Sequence, residues 1–318
     1  MTGQITRETA GGEETEHWPA VTAVVPTRDR PELVTRAVRS VLAQDYPGEI
    51  ECIVVFDQSD PHEIAVPESA GRSLRVLSNE RTPGLAGARN SGIIAASGEI
   101  IGHCDDDDEW LPGKLRSQLE LWRTVPDAPV VATGLVVRGE NGDHPRPAPA
   151  RASFADFLGS RIMEIHSSNL LVRRADLLDR IGLVDEQLPN SFGEDYEWLL
   201  RAARYGDVHC VREPYAVINW NRPSFYEGRW LAMVAGLSYI LDRYPEFASA
   251  PRGRARIEGQ IAFAAAALGN RADAVRWAWR ALRHDPRQLR ALAALAVAAR
   301  LVSPARLVRI VQSKGRGL

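Results

Sequence analysis

Asp105, Asp106, Asp107, Asp108 and Glu109 are five consecutive carboxylates, and they follow directly on the apolar run Ile100-Ile101-Gly102-His103-Cys104. Along an extended backbone, side chains two apart share a face, so Asp105 and Asp107 converge while Asp106 and Asp108 point elsewhere. Two carboxylates held that close repel unless a proton or cation intervenes, and ligands offering only oxygen suit Mg²⁺ or Mn²⁺, ions that commonly hold phosphates. The competing reading is a solvated acidic turn, the usual fate of a charge run. Position favours the cation, because ligands of an α/β sheet bind beyond the carboxyl ends of its strands. A calcium loop is a poor match, since its spaced oxygen ligands and central glycine are missing.

Three further constellations carry chemistry. Asp57 ends the run Ile50–Phe56 as Asp105 ends its own. There it can accept from a nucleobase N–H or a ribose hydroxyl, or simply cap a turn. The segment Gly84-Leu85-Ala86-Gly87-Ala88-Arg89-Asn90-Ser91-Gly92 opens a helix with small residues and one arginine. Amides at such a terminus, helped by a guanidinium, suit a diphosphate, whereas the plain alternative is close glycine packing. Glu194-Asp195 stands at a helix start, where acids serve the helix dipole or act as a general base toward a hydroxyl. The seven histidines show neither zinc nor triad spacing, and His166 and Trp220 are pocket candidates for which packing is the ordinary alternative.

Elements able to position these groups alternate along the chain. Val21–Val25 reads as a strand and Pro31–Gln44 as a helix with apolar spacing at Leu33, Val34, Ala37, Val38, Val41 and Leu42. Strands follow at Ile50–Phe56, Leu74–Leu77, Glu99–Cys104, Val130–Val137 and Asn169–Val172. Helices follow at Ala86–Ala96, Pro112–Trp122, near Phe154, at Ala175–Ile181 and at Glu194–Tyr205, with a mobile Pro/Gly-rich loop over Gly139–Ala150. Such alternation predicts a doubly wound, mainly parallel α/β sheet flanked by helices. From about Ser224 everything reads as helix, with one weakly tetratricopeptide-like hairpin over Ala262–Leu282.

The 318 residues, 45% hydrophobic and 25% charged, suffice for a full core. The first 18 residues are expected to be a disordered lead-in without a secretory core, and no stretch approaches the ~18 apolar residues of a membrane span. Cys52, Cys104 and Cys210 form no CxxC pair and read as buried free thiols of a reducing cytosol. The net charge of −2 hides a basic tail: from Arg252 onward there are 14 Lys plus Arg against 3 Asp plus Glu. Its Arg290, Arg300, Arg306 and Arg309 alternate with Leu292, Leu295, Val297, Leu301, Leu307 and Val308, which suits either helices packed on the domain or peripheral contact with an anionic membrane or a protein. No nucleic-acid recognition module is visible, so nucleic acid is not an expected partner.

Taken in order, Val24-Val25-Pro26-Thr27-Arg28, Phe56-Asp57-Gln58-Ser59, Gly87-Ala88-Arg89-Asn90, Asp105-Asp106-Asp107-Asp108-Glu109-Trp110-Leu111-Pro112 and Glu194-Asp195 resemble glycosyltransferase family 2 over roughly Thr22 to Asn219. The resemblance implies a GT-A fold with a helical C-terminal appendage: a transferase domain over 19–223, divided into a nucleotide-sugar half (19–137) and an acceptor half (151–223), then helices over 224–318. It implies transfer of a sugar, with inversion, from a nucleotide diphospho-sugar of UDP, GDP or dTDP type to an acceptor hydroxyl, in glycan, glycolipid or glycosylated metabolite biosynthesis. Pro26, Thr27, Arg28 and Asp57 would contact the nucleoside, Arg89 the phosphates, and Asp105 and Asp106 the donor. Asp107, with Asp105, would hold Mg²⁺ or Mn²⁺, and Asp195, assisted by Glu194, would be the base. The implied location is the cytoplasm, extending to the inner membrane face.

Phe56 and Gln58 stand where the family often has Asp and Gly, and Tyr226-Glu227-Gly228-Arg229-Trp230 lacks the Gln of the processive synthases, so single additions are expected. Two rivals remain. A sugar nucleotidyltransferase would need a Gly-rich loop with trailing Arg and Lys after the first strand, which is absent; a non-catalytic nucleotide-sugar-binding scaffold would have no use for Asp195 beside a complete acidic element.

Overall fold

Seven-residue runs of buried side chains make β1 (Val21–Thr27) and β2 (Ile50–Phe56) interior strands covered on both faces. Between them, Pro31 opens α1 (Pro31–Leu42), which turns Leu33, Val34, Ala37, Val38 and Val41 inward. β3 (Arg72–Ser78), α2 (Leu85–Ala95) and β4 (Ile100–His103) continue the alternation. β3, β2, β1 and β4 lie side by side and parallel, so β1, β2 and β4 all end along one edge. A computed structural model describes residues 17–139, 142–220 and 228–312. The expected lead-in, apart from its last two residues, and Tyr226-Glu227 lie outside the described residues.

Then follow β5 (Glu109–Trp110), α3 (Lys114–Thr124), β6 (Val130–Gly139), β7 (Gly142–Arg146), β8 (Arg151–Ala152), α4 (Phe154–Gly159), β9 (Leu171–Arg173), α5 (Arg174–Asp176), α6 (Glu194–Ala202) and β10 (Val208–Asn219). The sheet runs β3-β2-β1-β4-β9-β6-β10-β5, with β9 antiparallel to both neighbours and β10 parallel to β6. This is the mixed, mainly parallel sheet that the alternation predicts. α2, α4 and α6 share a core on one face around Val24, Ile53 and Ile101, while α1 and α3 cover the other face around Val25 and Val54. α2 comes so close to β1 that a Cβ on Gly92 would stand 2.3 Å from Val24 Cγ1.

Three expectations change. The segment taken as a loop over Gly139–Ala150 carries β7, paired antiparallel with β6 and held by Arg138 Nε on Asp143 Oδ1 at 3.0 Å. β10 was not expected at all: Pro214 interrupts its pattern, and the register slips on both sides of that residue, the irregularity at which a strand tolerates proline. The helix expected over Ala175–Ile181 begins as α5 and widens into a π turn over Leu177–Ile181.

The remaining helices are α7 (Trp230–Arg243), α8 (Pro251–Ala267), α9 (Arg271–His284), α10 (Leu289–Ala298) and α11 (Pro304–Gln312). Leu237 and Ile240 of α7 and Ile257 and Ile261 of α8 join the core around Tyr196 and Leu200. α8, α9 and α10 cross on alanines, among them Ala262, Ala266, Ala274, Ala278, Ala291 and Ala294. Fully buried Glu258 collects Arg254 and Arg280, each at 3.2 Å, where α8 meets α9. None of the described helices is long and apolar enough to cross a membrane. All three cysteines are free and buried, as expected.

Candidate active site

The acidic run begins where pairing with β1 ends. Val24 faces His103 in the last register pair, and the Cys104 N–H donates to the Val24 carbonyl at 3.1 Å. The Asp108 N–H then donates back to the Asp105 carbonyl at 3.0 Å. Asp105–Asp108 is therefore a turn, not the extended segment expected, and a turn closed between its first and fourth residues brings those two together. Asp105 and Asp108 offer oxygens within 4.8 Å of each other and of a His166 ring nitrogen. Asp106 and Asp107 instead share Arg30, whose Nη1 lies 3.0 and 3.1 Å from their carboxylates.

Each acid is held differently. Thr27, at the end of β1, donates its hydroxyl to Asp106 Oδ2 at 2.7 Å. Ser168 Oγ donates to Asp108 Oδ2 at 2.6 Å, and Ser167 Oγ to Asp105 Oδ2 at 3.2 Å. Arg89, 2% exposed, spans the site: Nη2 donates to Asp105 Oδ1 at 2.6 Å and Nη1 pairs with Glu194 Oε1. This one side chain ties the turn after β4 to the start of α6. Asp195 Oδ2 accepts from Arg161 Nη2 at 2.6 Å.

The charges do not balance: six carboxylates face three guanidiniums, those of Arg30, Arg89 and Arg161. Burial, then Asp105 and Asp106, raise Asp107 to about 6. Burial, then Asp105 and Asp107, push Asp108 well above the carboxylate range. Burial also raises Glu194 to about 7, against the pull of Arg89 and with Asp195 and Asp105 adding to it. Asp105 and Asp195 are held low: burial opposes ionisation, but Arg89 and His166 outweigh it for Asp105, and Arg161, His166 and Arg89 do so for Asp195. A surplus of buried negative charge with carboxylate and imidazole donors fits a divalent cation of the Mg²⁺ or Mn²⁺ kind.

Asp57 sits at the end of β2 and is 8% exposed. Its carboxylate accepts from Asn79 Nδ2 and Gln58 Nε2, both at 2.8 Å, and from the Gly84 N–H at 3.0 Å. It thus shapes the turn into α2 beside an open cleft of about 530 Å³ lined by Asp29, Phe56, Gln58, Ser59, Ser78 and Asn79. Of the amides opening α2, that of Gly84 is taken by Asp57 and that of Ala86 by Ser191 Oγ at 3.3 Å. Pro26 and Thr27 are buried within β1, whereas the Arg28 side chain is 44% exposed beside Asp29. Trp220 packs on Leu135, Val137 and Ile218, while His166 joins the acids.

Sequence reasoning missed Arg30, Arg161, Ser167 and Ser168. Arg30 had a signal, lying between a strand end and a helix-opening proline; Arg161 had none, because only folding brings it from the segment after α4 to Asp195. Replacing Arg89 by Met strands Asp105 and Glu194 as buried, uncompensated acids and is expected to cost about 3–5 kcal/mol by chemical denaturation. A loss below about 1 kcal/mol would mean that the bridge contributes little.

The model of glycosyl transferase family 2 matches residues 22–180. Over 210 residues the chain is 37% identical to the succinoglycan biosynthesis protein ExoO of Rhizobium meliloti, covering 62% of this chain and 59% of that one. Among solved structures it is similar to S. aureus TarS in complex with UDP-GlcNAc, with a TM-score of 0.58 at 18% identity, covering 93% of this chain and 92% of that one. It is likewise similar to the mannosyltransferase PcManGT of Pyrobaculum calidifontis in complex with GDP-Man and Mn²⁺, with a TM-score of 0.54 at 19% identity, covering 89% and 86%. At such identities the structural likeness speaks for the fold. The chain spans about half the length of the curated relatives it matches.

Proposed function

Because the chain belongs to glycosyl transferase family 2, we propose that it transfers a single sugar, with inversion and with a divalent ion, from a nucleotide diphospho-sugar to an acceptor hydroxyl in polysaccharide or glycolipid biosynthesis. The observation that carries this reading is Arg89 joined at once to Asp105 and Glu194, which puts the acidic turn and the Glu194-Asp195 pair in one site. TarS binding UDP-GlcNAc and PcManGT binding GDP-Man with Mn²⁺ support a donor of this class.

In the proposed reaction the acceptor oxygen attacks the anomeric carbon as the carbon–phosphate oxygen bond breaks, and the hydroxyl proton passes to Asp195. One displacement needs one base and no covalent intermediate. Arg161, donating to Asp195 Oδ2, fixes the direction of that carboxylate, and Glu194 anchors the first turn of α6 through Arg89. Asp57 holds Asn79 and Gly84 around the nucleoside cleft, with Pro26, Thr27 and Arg28 beside it. Asp107 and Asp105, with Asp106 on the donor side and with Asp108 and His166 converging on Asp105, would hold Mg²⁺ or Mn²⁺, which when bound neutralises charge on the departing diphosphate.

For the helices after α6 we propose contact with an anionic membrane face, since Trp279, Leu289, Leu292 and Leu301 are 46–81% exposed within the arginine-rich tail. The transferase reading is tested by thermal shift with nucleotide sugars and Mn²⁺. The right donor at about 100 times its Kd adds roughly 2.7 kcal/mol and raises Tm by several degrees. If no nucleotide sugar moves Tm, with or without Mn²⁺, the reading fails.

A further inference from the structure

We infer that Arg256 of α8 and Arg290 of α10 form an anion-binding subsite beyond Asp195, which takes a phosphate or diphosphate group carried by the acceptor. That the anion belongs to the acceptor rests on the transferase reading; that an anion binds does not.

The geometry begins at the base. Tyr196 follows Asp195 in the first turn of α6, and its hydroxyl donates to the Phe157 carbonyl at 2.6 Å. Arg256 Nη2 donates to the same hydroxyl at 3.2 Å, with its guanidinium 5.6 Å from the tyrosine ring centroid. One helical turn further along α8, a Cβ on Gly259 would stand 3.2 Å from Arg290 Cβ, so α8 and the first turn of α10 touch there. Arg161, on Asp195, and Arg290, at the seam between α8 and α10, both lie close enough to Arg256 for their charges to act on it.

Neither Arg256 nor Arg290 has a carboxylate partner among the described residues, and the Nε of each is buried with no acceptor. Arg290 makes no side-chain hydrogen bond there; only its backbone N–H is engaged, by Gln288 Oε1 at 3.5 Å. The contrast lies on the same helix, where Arg254 is paired with Glu258, as is Arg280 of α9. Burial lowers the pKa of both guanidiniums, and Arg290 and Arg161 lower that of Arg256 further. A half-buried cation without a counter-charge costs stability, and Arg290 adds to that cost by standing in the first turn of α10, at the positive end of that helix. An anion removes that cost. The planar arginine fork matches phosphate oxygens in particular, and Arg256, held on Tyr196 next in sequence to Asp195, would give a phosphorylated acceptor a handle on the α6 side of the site.

The phosphate could sit on a soluble sugar or polymer, or join an acceptor sugar to a lipid; the chemistry recognised is the same. The test uses the full chain in EDTA without nucleotide, titrated with inorganic pyrophosphate and followed by thermal shift. Pyrophosphate is expected to raise the wild-type Tm, and Arg290→Gln and Arg256→Gln are expected to need at least ~10-fold more of it. The Arg290→Gln protein alone should melt at or above the wild-type temperature, because it loses repulsion and no contact, and Arg290→Lys should recover part of the response. Flotation with phosphatidylglycerol vesicles separates the sources. Binding lost in Arg290→Gln means that the anion is presented on lipid; flotation unchanged beside a lost pyrophosphate response means a soluble phosphate. Mn²⁺-dependent nucleotide binding is measured in parallel and should be the same in all variants, so that failure of the donor reading shows separately. A wild-type protein indifferent to pyrophosphate, or variants that respond as it does, would overturn the subsite.

Discussion

Asp195→Asn is expected to bind nucleotide diphospho-sugar as the parent does while transferring sugar roughly 10²–10⁴ times more slowly, the range associated with loss of a positioned general base. The substitution is nearly isosteric, and the new amide oxygen can still accept from Arg161 Nη2, now 2.6 Å from Asp195 Oδ2. The fold is therefore expected to survive and the defect to fall on turnover. Arg161, followed by Arg89, holds Asp195 ionised at neutral pH against the cost of its burial, so the lone pair that takes the acceptor proton is present before substrate arrives. The measurement is kcat beside a nucleotide-sugar Kd. Turnover within a few-fold of the parent removes Asp195 as the base and returns the scaffold reading, with Glu194-Asp195 reduced to partners of Arg89 and Arg161.

The second large effect is expected at Asp107. Asp107→Ala should abolish the dependence of nucleotide diphosphate binding on Mn²⁺, weakening it at least ~10-fold by isothermal titration, while binding in EDTA stays as in the parent. Asp107 lies in the pair held by Arg30, whereas Asp105 and Asp108 converge with His166. Asp108→Asn separates the two groupings. If Asp108, engaged by Ser168 and the Asn219 amide, serves mainly to fix the turn, its substitution lowers stability and leaves the response to Mn²⁺. Since burial and neighbouring acids hold Asp107 at about 6, the parent's response to Mn²⁺ should also weaken as pH falls through that value and a proton competes for the carboxylate. Nucleotide affinity indifferent to chelation, to pH and to Asp107 would sink the metal role.

Legibility differed between elements for identifiable reasons. α1 shows because five of its twelve residues recur on one face, and β2 because all of its seven residues but Glu51 are apolar and it is covered on both sides. β10 was hidden, since Pro214 and the charged pair Arg212-Glu213 break any short-range pattern, and only its pairing with β6, β5 and β8 makes it a strand. The glycines around Arg89 allowed two readings. One of them, close packing, is seen directly at Gly92 against Val24.

The chain by itself determined that acids would stand at the ends of parallel strands, because buried β-branched runs followed by helices leave those ends on one edge, and it determined which acids those were. It could not determine their company. An extended reading joins Asp105 to Asp107, but the turn closed from Asp108 to Asp105 joins Asp105 to Asp108 and leaves Asp106 and Asp107 to Arg30. Nor could spacing foretell that Arg89 would span 105 residues to Glu194, or that Arg161 would meet Asp195. Local pattern records what each segment buries; which charges neutralise one another is decided only when distant segments share a low-dielectric interior, where an unpaired charge is too costly to leave alone.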